Sequence, residues 1–355
     1  MRLYMSQDKV KPVKSSLLVL NYAMDAQNPI FSHQLEVVNA LAKKFEKIIV
    51  ISQKVGDINT PSNVFIIDLN WKEGNDFLNS VKFLFFLLLT IWKLKPDYIF
   101  SHMTEKLSML GALPIKIFKI PHFLWYAHAS NSLSLKLTSY FVDKIFTSTI
   151  GSCPIKSPKV RFLGQAIDTS MFRGSIKNCE VPTRFLHVGR LDESKNLETL
   201  IQCFLVDKPD NSLTFIGSPS NFDAEKYWNS LKIKYRELLH SKKLIEMGPV
   251  SRSDLPRLIV DYEIFVHAFI GSLDKAILEA TACGLPVITL NTEYHSIFGN
   301  WAKKGNLNDL SAEYLGFLEL SKTERELELG RRAELVRSEH SFFRWIEKLT
   351  SEMIS

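Results

Sequence analysis

The stretch 271–289 constrains the fold more than any other part of the sequence. One apolar run, residues 264–268, precedes it and another, residues 285–290, closes it, and each has the length of a buried strand. Between them, Leu273, Ile277 and Ala280 recur with the spacing of one helix face, and Gly284 suits the left-handed residue that ends a helix. The sequence therefore predicts a strand, a tight loop, a helix and a second strand, as in parallel α/β sheets.

The polar residues of this predicted helix form a second face. We expect Ser272 to cap the helix, Asp274 to lie in its first turn, and Ser272, Lys275 and Glu279 to share the side away from the core. An open helix N-terminus attracts anions, so an anionic ligand fits here. Glu279 has two interpretations: it pairs with Lys275 on a solvated face, or it is an acid held rigidly toward a ligand.

A second strand, turn and helix are predicted over residues 185–204. Gly189 allows a sharp turn after the strand, and Asn196 can cap the helix that follows. Arg190 and Lys195 then lie in the loop before the helix N-terminus, where a guanidinium, an ammonium and free backbone N–H groups together suit a diphosphate. The alternative is a pair of solvated surface cations.

Three histidines of the first half of the chain are of interest. His102 follows a strand over residues 97–101, His128 follows a strand over residues 121–126, and His33 ends the loop before a helix that is predicted from about residue 34. Ligands of parallel sheets bind at the carboxyl ends of the strands, so His102 and His128 are candidate site residues, with a structural hydrogen-bonding role as the alternative. His33 has an alternative as a solvent-exposed residue at the start of a helix. The chain lacks G-x-G-x-x-G, which disfavours a dinucleotide-dependent dehydrogenase.

Length and charge distribution predict two unlike domains. A chain of 355 residues exceeds the usual size of a single core. Residues 1–168 hold 20 Lys and Arg against 12 Asp and Glu, a charge of +8, whereas the remainder holds 24 against 26, a charge of −2. A basic first domain suits an anionic membrane surface or a phosphorylated lipid, and nucleic acid would answer to the same charge. Four widely spaced cysteines without a C-x-x-C pair favour reduced thiols in a cytoplasmic protein.

The helix predicted over residues 76–95 is unusually apolar. Its uninterrupted apolar run, residues 83–89, is far shorter than the ~20 residues that span a bilayer, so we do not expect a transmembrane helix. The favoured interpretation is a fully buried crossover helix. The alternative is a helix that also dips an exposed aromatic edge into the membrane interface, with its flanking lysines at the headgroups.

Two of these stretches resemble the donor site of family-four retaining glycosyltransferases of the GT-B fold. Glu279, Ala280, Gly284 and Pro286 stand at the spacing of that family's donor-binding motif, although its first Glu corresponds to Gly271 here. Residues 185–204 resemble the family's phosphate-binding loop. The resemblance implies two facing Rossmann-like α/β domains with a C-terminal helix crossing back: an acceptor-side domain over 1–168 with a returning helix 339–355, and a nucleotide-sugar-binding domain over 183–338.

The resemblance also implies roles for individual residues. Catalytic roles fall to Arg190, Lys195, Glu279 and His128, and acceptor-side roles to His33 and His102. The expected donor-binding residues are Arg190, Lys195, Val250, Gly271, Ser272, Leu273, Asp274 and Glu279. The chain has no D-x-D motif, so cations of the protein are expected to replace a metal ion, and no cofactor is expected.

The implied reaction moves a sugar from a nucleotide-diphosphate sugar to a glycan or lipid-linked acceptor, in cell-surface polysaccharide or lipopolysaccharide biosynthesis. The expected location is cytoplasmic, on the inner face of a membrane, and nucleic acid is not an expected partner. Because Gly271 replaces the motif's first Glu, two alternatives stay open: a sugar-nucleotide epimerase of the same fold, and a non-catalytic partner subunit.

Overall fold

A computed structural model describes residues 13–28, 31–128, 130–302 and 309–355. The chain divides into two compact units, residues 1–163 with 346–355, and residues 164–345. The predicted first domain extended to residue 168 and the second began at 183, whereas here the segment 164–182 is part of the second unit. Residues 339–345, predicted to return with the terminal helix, also belong to the second unit.

The first unit is built on a parallel sheet of seven strands in the order β3-β2-β1-β4-β5-β6-β7. Its strands are β1 (Val13–Met24), β2 (Phe45–Val55), β3 (Val64–Asp68), β4 (Tyr98–His102), β5 (His122–Trp125), β6 (Lys144–Thr147) and β7 (Val160–Phe162). The chain moves from β1 to one side of the sheet and later returns to β4 on the other side. The carboxyl ends of β1 and β4 therefore flank a topological switch point, where ligands of such sheets bind.

Four helices connect these strands: α1 (Ser32–Leu41), α2 (Asp76–Leu94), α3 (Glu105–Ile117) and α4 (Leu133–Phe141). Helices α2 and α3 pack side by side against one face of the sheet, and Phe83, Leu87 and Ile91 of α2 are buried there. The approach is close at Gly111 of α3, where a Cβ atom would lie 2.8 Å from the side chain of Leu87.

The favoured prediction of a fully buried α2 is wrong. Its outward side, which includes Phe85 and Trp92, is exposed, because no described element covers it. Among the described residues, α2 is the helix that is long and apolar enough to cross a bilayer when judged by length and composition alone. Its inward side, however, forms part of the core of the first unit.

The second unit contains a parallel sheet of five strands in the order β10-β9-β8-β11-β12. The strands are β8 (Arg184–Val188), β9 (Ser212–Ile216), β10 (Leu244–Gly248), β11 (Ile264–His267) and β12 (Val287–Thr289). Here β8 connects to β9 on one side, and the chain crosses to β11 on the other. The switch point lies between β8 and β11, the strands that precede the two predicted donor-binding loops.

The helices of the second unit cover both faces of this sheet. They are α5 (Leu197–Phe204), α6 (Phe222–Lys234), α7 (Arg236–His240), α8 (Leu255–Ile259), α9 (Lys275–Ala282), α10 (Thr292–Phe298), α11 (Leu310–Leu318) and α12 (Lys322–Glu339). The sequence predicts one helix over residues 226–239, but the helix breaks at Tyr235, so α6 and α7 are separate.

The last helix, α13 (Phe342–Ile354), begins in the second unit and from Ile346 onward belongs to the first. Within the first unit, the Lys144 ammonium donates a hydrogen bond to the carboxylate of Glu352, with 3.0 Å between Nζ and Oε2. A partly buried ion pair thus ties β6 to the end of the chain.

Candidate active site

The loop after β8 is shaped by close approach of two backbones. A Cβ atom on Gly217, at the end of β9, would lie 1.9 Å from the carbonyl oxygen of Gly189, so a side chain at residue 217 would push the two loops apart. A single 3-10 turn, Glu193–Lys195, then leads into α5. Asn196 stands before α5 but does not cap it, because its side-chain amide instead donates to the Ala268 carbonyl at the end of β11, at 3.1 Å. The residue predicted as a cap therefore connects the turn before α5 to the end of β11.

The two cations of this loop differ sharply in environment. The Arg190 side chain is 62% exposed, and its Nε lies 3.3 Å from a carboxylate oxygen of Asp192. Lys195 is only 6% exposed, and its Nζ lies 2.5 Å from Oδ2 of Asp274. The interpretation of both residues as solvated surface cations is thus wrong for Lys195.

Asp274 connects Lys195 to the buried strand β11. His267, the last residue of β11, has its Nε2 atom 3.4 Å from Oδ2 of Asp274 and its Nδ1 atom 3.2 Å from the hydroxyl of Thr289. Burial favours the neutral form of Asp274, but the hydrogen bond from His267 and the charge of Lys195 outweigh it and lower the pKa of this carboxyl. Asp274 is therefore an anion that holds Lys195 in place.

Two histidines lie beneath this ion pair on adjacent strands. The rings of His187 and His267 are fully buried and stack with their centroids 6.0 Å apart. Burial, reinforced by the neighbouring His267, lowers the pKa of His187 to about 3, so its ring is neutral at physiological pH. Burial also lowers the pKa of His267, although Asp274 opposes the shift. With both rings neutral, the charged groups at this point are Lys195 and Asp274.

Helix α9 is buried along nearly its whole length. Seven of its eight residues are buried, Glu279 among them. Glu279 is 3% exposed, and its Oε1 lies 2.9 Å from Nη2 of Arg252. The interpretation of Glu279 as part of a solvated face is therefore wrong. Burial raises the pKa of Glu279, while the charges of Arg252 and Lys275 oppose the shift.

The loop before α9 is held by side chains from other elements. Asp274 occupies the N-cap position, so the prediction that Ser272 caps the helix is wrong, and Asp274 makes no capping hydrogen bond either. The buried amide of Asn291, just after β12, donates to the carbonyl oxygens of Phe269, Gly271 and Ser272 at 3.1 to 3.2 Å.

A further tie fixes the last turn of this loop. Gln165 Nε2 donates to the carbonyl of the buried residue Leu273 at 2.6 Å. These ties fix the backbone beside the N-terminus of α9 without a side-chain cap. Val250, the remaining predicted donor-binding residue, lies in the loop after β10, half-buried against the same core.

The ring of Phe269 fills the space beside Gly271. A Cβ atom on Gly271 would lie 2.2 Å from Cζ of this ring, and the same ring lies 4.1 Å from Nζ of Lys195. At the position that corresponds to the motif's first Glu, this protein therefore has an aromatic face against the Lys195 ammonium.

In the first unit, two of the three predicted histidines meet. His102 ends β4 and is buried, and His33 is the second residue of α1, with the ring centroids 5.6 Å apart and the rings edge to face. His128 is exposed, three residues beyond β5, and its Nδ1 accepts a hydrogen bond from the Ser130 backbone N–H at 2.9 Å. His33 and His102 thus lie at the switch point between β1 and β4, while His128 stands outside this pair.

Sequence reasoning missed Arg252, Phe269, Asn291 and the buried histidines. The histidines were detectable as polar residues within the apolar strands β8 and β11. Asn291 was detectable as a polar residue just beyond the carboxyl end of β12. Arg252 carries no such signal, because its partner Glu279 is distant in sequence, and the contact of Phe269 with Lys195 is likewise between residues far apart in the chain. Within the described parts of the chain, no group of three His, Cys, Asp or Glu side chains is arranged to hold a metal ion.

Known proteins resemble this chain in sequence over one segment and in structure over nearly all of it. Residues 172–315 match the family model described as glycosyl transferases group 1. No curated protein matches this sequence significantly.

Three solved structures illustrate the structural likeness. HepE of Anabaena in complex with UDP and glucose has a TM-score of 0.73 at 14% identity, covering 96% of this chain and 100% of that one. Sucrose-phosphate synthase from Thermosynechococcus elongatus gives 0.74 at 13%, covering 96% and 98%. The lipopolysaccharide outer core galactosyltransferase WaaB gives 0.68 at 13%, covering 95% and 99%. At these identities the likeness shows the fold.

Proposed function

We propose that this chain, which has the GT-B fold, is a retaining glycosyltransferase that transfers a hexose from a nucleotide-diphosphate sugar. The observation that carries this proposal is that Lys195 contacts Asp274 at the N-terminus of α9, beside the switch point of the second sheet, while exposed Arg190 lies in the same loop as Lys195. The reaction needs the charge of the departing diphosphate stabilised while the anomeric carbon becomes cation-like, and these groups supply positive charge.

The proposed division of labour follows the burial of each group. Lys195 is fixed by Asp274 and the ring of Phe269, so it acts as a preorganised point charge. Exposed Arg190 is free to turn its planar fork from Asp192 to a phosphate. Glu279, rigid on α9, accepts hydrogen bonds from ribose hydroxyls, and the loops at Val250 and at 271–273 bind the rest of the donor. The UDP complex of HepE supports a nucleotide sugar as the donor.

The acceptor side is proposed for the first unit. His33 and His102 lie together at its switch point, where a hydroxyl-bearing substrate would meet imidazole nitrogens. We propose a glycan or lipid-linked acceptor of cell-surface polysaccharide or lipopolysaccharide biosynthesis, and the name of WaaB supports this class. A role for His128 toward the donor sugar stays a prediction. A cytoplasmic location at the inner face of a membrane fits such an acceptor and the charge of +8 on residues 1–168, from 20 cations less 12 anions.

We propose that transfer proceeds without a metal ion, because Arg190 and Lys195 occupy the charge-neutralising positions. Activity that disappears with EDTA and returns with Mn²⁺ would contradict this. The replacement of the motif's first Glu by Gly271, with Phe269 in the vacated space, favours one rival, a non-catalytic partner subunit.

The decisive experiment incubates the protein with a panel of radiolabelled nucleotide sugars and a membrane extract. We expect label in a glycan or lipid product. An isomerised donor without transfer would instead indicate the epimerase, and an unchanged donor would indicate the non-catalytic subunit. Thermal stabilisation by the same panel identifies the donor independently of the acceptor.

A further inference from the structure

Helix α2 presents a continuous apolar stripe to solvent. Five of its exposed apolar residues recur every three or four positions and therefore lie on one side of the helix: Phe77, Val81, Phe85, Leu88 and Trp92. Phe85 is 60% exposed and Trp92 is 68% exposed. The outward side of a surface helix is normally polar, and here all five positions are apolar.

The opposite side of α2 is committed to the core. Phe83, Leu87 and Ile91 are inaccessible and pack against the sheet of the first unit. Crossing a bilayer would remove these three side chains from the core. The outward side of α2 can therefore contact an apolar phase while its inward side stays packed against the sheet.

The apolar surface continues onto α3. Leu113 and Ile117 are exposed on α3, and Phe118 is exposed just beyond it. A groove of about 300 Å³ joins the ends of the two helices, and its lining includes Trp92, Phe118 and the lysine Lys95. We call the outward surface of α2 and the end of α3 the α2–α3 face.

Positive charge borders the α2–α3 face. Exposed lysines stand at the ends of both helices: Lys93, Lys95, Lys116 and Lys119. Over residues 76–141 seven lysines stand against three acids. Trp92 beside lysines, next to an apolar stripe, is the arrangement that favours the boundary between headgroups and acyl chains.

We propose that the α2–α3 face docks onto the anionic leaflet of a lipid bilayer, with Phe85 and Trp92 entering the interface and the lysines contacting lipid phosphates. The charge argues for this occupant, since the exposed lysines that border the apolar stripe are complementary to the phosphates of anionic lipids. Docking itself does not depend on the proposed function. Only its purpose rests on that function, because docking would bring the enzyme to a membrane-borne acceptor.

Flotation with vesicles tests the docking without donor or acceptor. One set of vesicles contains phosphatidylcholine alone, and the other contains phosphatidylcholine and phosphatidylglycerol in equal amounts. We expect the protein to float with the mixed vesicles, more strongly at low salt than at physiological salt, and to stay at the bottom with phosphatidylcholine alone. No flotation with mixed vesicles at either salt concentration would overturn the proposal.

Matched variants test whether the α2–α3 face is the surface that binds the vesicles. Phe85→Ser combined with Trp92→Ser is expected to weaken partition by about tenfold or more, since each ring loses an apolar environment. Lys93→Glu combined with Lys95→Glu is expected to weaken it by about fivefold or more per lysine. The control, Phe222→Ser with Ile233→Ser, removes two equally exposed apolar side chains of α6 in the second unit and should leave flotation unchanged. Equal flotation of all variants would show that another surface docks.

Trp92 also reports its own insertion. Of the six tryptophans, Trp125, Trp228, Trp301 and Trp345 are buried and Trp71 is half-buried, so lipids brominated on the acyl chains should quench Trp92 selectively. The quenching should disappear in Trp92→Phe, and quenching that persists there would contradict insertion at this face.

Further controls distinguish membrane docking from binding to a protein partner. Wild-type protein that binds membrane extract but not vesicles, and loses binding after protease treatment of the extract, would overturn the proposal in favour of a protein partner. Donor-induced thermal stabilisation, measured on the same preparations, reports on the glycosyltransferase site separately. A failure of docking is therefore distinguishable from a failure of the proposed function.

Discussion

Helices α2 and α9 both flank a parallel sheet, and the burial of each is the opposite of what its sequence suggests. Helix α2 is almost wholly apolar yet leaves a stripe of large side chains in solvent. Helix α9 carries the acidic residue Glu279 yet is buried nearly throughout. The difference lies in the neighbours: α12 packs across α9, whereas no described element lies over the outward side of α2.

Each of these two helices carries a feature that is costly in its surroundings. In the second unit, a carboxyl group is buried beside Arg252, which costs desolvation free energy and is typical of a functional site. In the first unit, apolar surface is left exposed, which favours aggregation unless something covers it. A buried acid and an exposed aromatic stripe are therefore the two features that packing alone does not explain.

The same substitution in both helices gives the largest expected contrast. Leu278→Ala removes a fully buried side chain of α9 and should lower the free energy of unfolding by about 2–5 kcal/mol. Leu88→Ala, on the exposed stripe of α2, should cost less than about 1 kcal/mol. Urea unfolding of the isolated protein measures both. An equal loss from the two variants would mean that the stripe of α2 is covered in solution.

This contrast also marks how far the sequence could predict the fold. The parallel strands and the left-handed Gly284, with φ of +82°, follow from apolar runs and a glycine in one short stretch. The burial of α2 did not follow, because periodicity shows which side of a helix is apolar and here nearly every side is. Only the tertiary neighbours decide which side is covered.

The candidate site was predictable to the same extent. Arg190, Lys195, Asp274 and Glu279 lie in loops or on a helix that the sequence locates. Their partners were not predictable, since the contact between Lys195 and Asp274 joins residues 79 positions apart. The role expected of Ser272 failed for a related reason: the helix starts later because Asn291 holds the carbonyl of Ser272 within the loop.

Removal of the two cations should cost the most in catalysis. Lys195→Ala and Arg190→Ala should each lower kcat by about 10² or more, because both groups stabilise charge that develops on the leaving diphosphate. Lys195→Ala should also lower the melting temperature, since it leaves Asp274 largely buried without its ammonium partner. Exposed Arg190 should show no such loss.

Steady-state kinetics with the identified donor measures the effect of these two changes. Lys226→Ala removes an exposed lysine of α6 in the same unit and serves as the control, with unchanged kcat expected. Near-normal kcat/KM in both Arg190→Ala and Lys195→Ala would contradict the proposed phosphate site.

Asp274→Asn should have a smaller effect on the same step. Because the pKa of Asp274 is lowered, the carboxylate is ionised at neutral pH, and the change removes a full charge that positions Lys195. We expect kcat to fall by about tenfold, with less change in the donor KM. Asp223→Asn, an exposed acid of α6, should change neither constant. An increase in kcat would instead show that Asp274 competes with the diphosphate for Lys195.

The smallest expected effect belongs to Glu279, and it depends on pH. A ribose contact is made equally in the ground and transition states, so Glu279→Gln should raise the donor KM a few-fold and leave kcat nearly unchanged. The ionised carboxylate accepts two hydroxyl hydrogen bonds more strongly than the neutral acid. Donor binding should therefore tighten as the pH rises through the pKa of Glu279, which burial raises, and weaken as the pH falls through it.

Isothermal titration of the nucleoside diphosphate over this pH range measures that dependence. Wild-type protein and Glu225→Gln, which changes an exposed acid of α6, should show the same rise in affinity with pH. Glu279→Gln cannot ionise and should lose the part of the rise that Glu279 causes, while titration of the ligand phosphate itself persists in all three proteins. If the three pH profiles coincide, the buried carboxylate of α9 does not contact the donor, and its ion pair with Arg252 is structural, so that α9 would differ from α2 in packing alone.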